Sequence, residues 1–98
     1  MENEKIAKIL RIRGLDVSLR GTHALGWCVQ YVLNRSGSVD FNAWMSLAEY
    51  AHMTHTAVDV IWRRILRALT TAGLQMSPIG AIEHFAALCV LEGLRYES

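Results

Sequence analysis

Apolar residues recur three and four positions apart through almost all of this chain, and only one proline, Pro78, interrupts them. That spacing lines apolar side chains along one stripe of an α-helix. A half-buried strand would instead alternate every second residue, and few β-branched alternations occur. The expected fold is therefore all-α, a compact helical domain of about five helices.

The first helix is expected from about Glu4 to Arg13, with Ile6, Ile9 and Leu10 as its stripe and Gly14 ending it. The connector "GLDVSLRG" follows, with Ser18 or Thr22 as a possible cap. A second helix then runs to about Asn34, with Leu25, Cys28, Val29 and Val32 on one face. "NRSGSVD" is the clearest break, and its Asp40 can cap a third helix over about Phe41 to His52. The fourth is expected over Thr54 to Ala72, with Gly73 taking the left-handed conformation after it. Ser77 as cap and Pro78 at the first helical position start the fifth, which carries Ile82, Phe85, Ala86 and Cys89 on one face. Nothing divides residues 1–98, so they are expected to form a single domain.

The short joint between the third and fourth helices suggests a helix-turn-helix. Such a unit needs a small residue where its helices cross, and Ala48 can serve. Leu47, Ala51, Met53, Val58 and Ile61 are placed to enter the shared core. His52 occupies the position where glycine is common, and His tolerates positive φ better than most residues. With Val58, Ile61, Ile65 and Ala68 inward, Thr56, Asp59, Val60, Arg63 and Arg67 face outward. Thr54, His55 and Thr56 begin the helix, where a recognition helix reaches base edges. Arg63 and Arg64 can pair with guanine or phosphate. Asp59 can accept from a cytosine amino group or pair with Arg63 one turn on. A bland reading stands beside this one: two amphipathic helices with a short joint also occur in domains that never meet DNA. On that reading Trp62 and Leu66 are core, and the arginines form a solvated face.

Net charge is +1, so no global basic signature exists, but residues 54–73 hold Arg63, Arg64 and Arg67 against Asp59 alone. The tail beyond residue 74 is acidic. This asymmetry permits nucleic-acid binding without demanding it. Apolar residues make up 52% of the chain, a share that a partner surface can partly absorb.

Three blocks of the chain resemble the C-terminal DNA-binding effector domain of the stage zero sporulation protein A family of sporulation response regulators. These are "RGLDVSLRGTHALGWCVQYVL", "LAEYAHMTHTAVDVIWRRILRAL" and "SPIGAIEHFAALCVLEGLR", in the family's order, covering about residues 9 to 95. The resemblance implies an all-helical domain that binds double-stranded DNA through the fourth helix, often as a homodimer or as neighbouring copies on repeated sites. Thr54, Thr56, Asp59 and Arg63 match the family's recognition helix, and Arg20 matches its basic-Gly step. Family members tend to carry Arg near Ala57 and Val60, which this chain lacks. In the family a receiver domain precedes the effector domain, and none lies within these 98 residues.

The sequence thus points to a non-enzymatic, cytoplasmic transcription regulator. Thr54, His55, Thr56, Asp59 and Arg63 are its expected base-proximal residues, and Arg64, Arg67 and Arg20 its expected backbone contacts. The alternative is a protein-interaction or dimerisation module whose DNA face has decayed. No cofactor, metal or catalytic set is expected. His23, His52, His55 and His84 do not converge in any ligand spacing, and no nucleophile–base pattern is readable. Cys28 and Cys89 sit in apolar surroundings and are expected as buried thiols, and the three Trp (Trp27, Trp44, Trp62) as pins of the core. No apolar run is long enough for a membrane span, and the charged start lacks a secretory signal's apolar core.

Overall fold

The computed structural model describes residues 4–93, so Arg95 and Glu97 of the acidic tail lie outside the described residues. Within them are five helices and no strand: α1 (Glu4–Ile12), α2 (Arg20–Leu33), α3 (Val39–Met53), α4 (Val58–Thr71) and α5 (Pro78–Leu91). No helix among them is long and apolar enough to cross a membrane.

α2 is the central helix, and the other four all pack on it, α4 most extensively. Its sequence explains this. Small and apolar residues occur all round it, and Gly21, Ala24, Leu25, Gly26, Cys28, Val29, Val32 and Leu33 are all buried. A helix apolar on every side belongs inside. α4 buries only the stripe Ile61, Ile65, Ala68 and Leu69, as an amphipathic helix on the outside should. The expected inner faces of α1, α2 and α5 are all found in the core, with Ile9 only half-buried at its edge.

α2 and α4 approach closely at Gly21. A Cβ built on Gly21 would fall 1.8 Å from the Arg64 carbonyl oxygen and 2.5 Å from its carbon. The two backbones meet there with no room for a side chain. The expected crossing residue Ala48 is instead exposed on α3. The small residue that matters sits on α2, because α4 leans on α2 more than on α3.

Several helix ends follow the sequence. Gly14 and Gly73 adopt φ of 93° and 76°, and the Ser77 hydroxyl accepts from the Gly80 amide ahead of Pro78. Others do not. Ser38, one turn before Phe41, caps α3 by accepting from the Phe41 amide, which leaves Asp40 in the first turn. Neither Ser18 nor Thr22 caps α2. The Ser18 amide and hydroxyl both donate to Asp16 instead, and these bonds hold the Asp16 carboxyl below its ordinary pKa. Thr22 lies inside the first turn of α2, fully buried, and its hydroxyl oxygen has no hydrogen-bond partner.

Both cysteines are free and buried. Burial pushes the Cys28 thiol up to about 12, opposed by a hydrogen bond with Ser46. Burial, with Glu92 nearby, raises Cys89 to about 11.

Candidate nucleic-acid interface

The joint between α3 and α4 begins later than the sequence suggested. The Thr54 amide and hydroxyl both donate to the Tyr50 carbonyl, so Thr54 closes α3. His55 then takes φ of 52°, the left-handed value that stops a helix. His52 is still helical, so the glycine-like position is His55. The Thr56 amide returns to the Ala51 carbonyl at 2.9 Å, and Ala57, extended, leads into α4 at Val58 with no side-chain cap. Thr54, His55 and Thr56 therefore form a turn and are not the first residues of α4.

This turn pulls Met53 and Val58 out of the core, leaving them 53% and 45% exposed. Ile61, Ile65 and Ala68 point inward as expected, while Leu66 is exposed. Asp59 and Arg63 face outward, and the Arg63 guanidinium reaches the Asp59 carboxylate at 3.4 Å. Both side chains are largely exposed, so the pair is weak and screened by salt.

The remaining arginines meet elsewhere. A groove of about 540 Å³ opens between the start of α2 and the α3–α4 turn, lined among others by Arg20, His23, Tyr50, Thr54, Thr56 and Arg64. A second hollow, about 310 Å³, runs along the α2–α4 seam past Arg20, Gly21, Arg64 and Arg67. Arg20 and Arg64 line both, so the two hollows adjoin and are described together as one basic channel. No carboxylate lines either hollow. The Gly21 contact creates this channel. It brings the start of α2 against the middle of α4, so that residues some 44 positions apart in the chain share one surface.

Of the expected site residues, Arg20, Thr54, Thr56, Arg64 and Arg67 are thus brought together. Asp59 and Arg63 pair on the adjacent outer face, and His55 is exposed at the turn. His23 and Tyr50 join the groove unforeseen. His23 lies three residues after Arg20 and Tyr50 four before Thr54, and that helical spacing was the signal available. Burial pushes the Tyr50 phenol above its ordinary value, Cys28 adds to this, and the Arg64 charge opposes it. Ala57 is exposed and Val60 half-buried. Both positions are thus open to the surface at least in part.

Cationic guanidinium groups, hydroxyls and an imidazole around an open channel suit an oxyanion, above all phosphate. No three His, Cys, Asp or Glu side chains converge among the described residues. No protein-family model, curated protein sequence or solved structure matches this chain.

Proposed function

We propose that the chain is a sequence-specific DNA-binding transcription regulator domain in which α3, the turn and α4 act as a helix-turn-helix. The basic channel is the observation that carries this reading. Arg20, Arg64 and Arg67 flank α4 on its α2 side and hold the phosphate backbone. Arg63 and Asp59 on the outer face meet base edges in the major groove, with His55, Thr54 and Thr56 of the turn beside them. The four-residue turn and the sequence resemblance to the sporulation regulator effector domain support the same assignment.

Fluorescence anisotropy with labelled duplexes, first random and then selected, tests it across a salt series. Binding is expected to weaken steeply with salt. Arg64→Ala and Arg67→Ala should each weaken all sequences alike and lower the salt slope by about one. Arg63→Ala should instead relax discrimination at one base position by ~1–3 kcal/mol. Absence of binding to any duplex at low salt overturns the reading. A second reading, a protein-interaction module without a working DNA face, is favoured by one observation: Phe41 and Trp44 on α3 are exposed, and Trp44 stacks on the half-buried Trp62 of α4, although tryptophan is expected in the core.

A further inference from the structure

Only one face of α2 reaches the surface. Its residues that are not buried, Arg20, His23, Trp27, Gln30 and Tyr31, fall three and four positions apart and so share a stripe. The helix holds no acidic residue. At one end the stripe is continuous with the basic channel, where Arg20 and His23 line the groove together with Tyr50 of α3. From Tyr50 a row of rings runs along the helix. The Trp27 ring centroid lies 5.2 Å from that of Tyr50 and 5.6 Å from that of Tyr31. The Arg35 guanidinium ends the row, 4.1 Å over the Tyr31 ring and just past the end of α2.

We infer that this stripe is a second backbone-contact strip of the DNA site, along which the duplex continues from the channel until Arg35 and the Asn34 amide hold one of its phosphates. The inference rests on the channel being a DNA face. α2 has 14 residues, about 21 Å at ~1.5 Å each, which corresponds to about six base pairs of duplex axis. Trp27, Gln30, Tyr31, Asn34 and Arg35 line an open hollow of about 170 Å³, and no carboxylate lines it.

The chemistry at the far end suits that ligand. Arg35 is exposed, and its contact with the Tyr31 ring holds the guanidinium in place while leaving its charge intact. A guanidinium already fixed loses less freedom on binding, and its planar fork matches two phosphate oxygens. The Gln30 amide donates to the Asn34 Oδ1 at 2.9 Å, which leaves the Asn34 N–H donors for a ligand. The layout also selects the occupant. Arginines mark the two ends of the strip, with uncharged rings and amides between them. A linear polyanion reaches both ends at once, whereas a free phosphate reaches one.

Fluorescence anisotropy on the full chain tests the inference, using a selected duplex and the same duplex trimmed by about six base pairs at either end. Arg35→Ala should weaken binding to the untrimmed duplex about five- to tenfold at ~0.1 M salt and lower the slope of log affinity against log salt by about one. Its circular dichroism spectrum should match the parent's. Arg35→Lys keeps the charge and should keep the slope. On the duplex trimmed at the end that α2 covers, Arg35→Ala and its parent should bind alike. Arg11→Ala, at a position lining neither the channel nor this hollow, controls for long-range charge and should keep the parent's slope. An unchanged slope in Arg35→Ala, while Arg64→Ala lowers it, overturns the strip and leaves the channel reading standing. A loss in Arg11→Ala as large as in Arg35→Ala, or an Arg35→Ala loss that persists on both trimmed duplexes, overturns it too. A parent chain that binds no duplex removes both readings.

Discussion

The two flanks of α4 are built differently. Toward α2 the helix is held backbone to backbone at Gly21, and polar side chains open outward around that contact into a basic channel. Toward α3 it is held by rings, Trp62 on Trp44, with apolar surface left open to solvent. The first flank is close-packed and charged, the second apolar and open to solvent. A short amphipathic helix has two flanks to spare once its inner stripe is buried. Here each carries a chemistry suited to a different kind of partner, phosphate on one side and protein on the other.

The sharpest way to break this contrast is at Gly21. Gly21→Ala places a methyl group inside the Arg64 carbonyl, and relief requires α2 and α4 to separate. The expected cost is about 3 kcal/mol or more, at or beyond the top of the overpacking range. That lowers the melting temperature by roughly 12–24 °C for a domain of this size, and thermal denaturation followed by circular dichroism checks it. On the α3 side, Trp44→Ala removes the ring stack and part of its burial, but the site is half open already. A smaller loss of about 1–2 kcal/mol is expected there. Should the two variants cost the same in denaturant titrations, the division into a close-packed and an open flank fails.

Thr22→Val probes the buried first turn of the central helix. The substitution keeps the shape and deletes a buried hydroxyl with no partner. It should stabilise by about 1 kcal/mol, read as a higher urea midpoint with unchanged slope. The smallest effect is expected at the turn. His55→Gly relieves a left-handed residue and should gain about 0.5–1 kcal/mol. If duplex affinity falls in that variant while stability rises, the His55 imidazole contributes to duplex binding at the turn.

The sequence made some of this legible. Strong local chemistry was readable directly: Ser77–Pro78 at the start of α5, the glycines after α1 and α4, and the inner stripes of α1, α2 and α5. The α3–α4 joint lies a few residues beyond where the local pattern puts it. Threonine at position 54 can begin a helix as a cap or end one by bonding backward, and only the surrounding packing decides. Apolar phase puts Trp44 with the core residues, yet it is exposed, and phase alone cannot tell a core stripe from an open face. Ala48 is the small residue a helix-turn-helix would use at its crossing, but α4 packs more on α2 than on α3. The meeting of Gly21 with Arg64 is long-range, and no local pattern announces it. The basic channel inherits that limit. Its arginines could be named from the sequence, but not that Arg20 would join Arg64 and Arg67.

The two buried thiols give this molecule internal clocks. A thiol reagent needs both access and thiolate, and the folded chain withholds both at Cys28 and Cys89, whose pKa values burial raises to about 12 and about 11. Labelling at neutral pH therefore waits for an opening event, and its rate measures how often the protein opens. Cys28 reports on the central helix and Cys89 on the last one. Equal rates would mean that the five helices come apart as one unit, whereas faster labelling of Cys89 would show α5 lifting away while α2 and its charged channel stay intact.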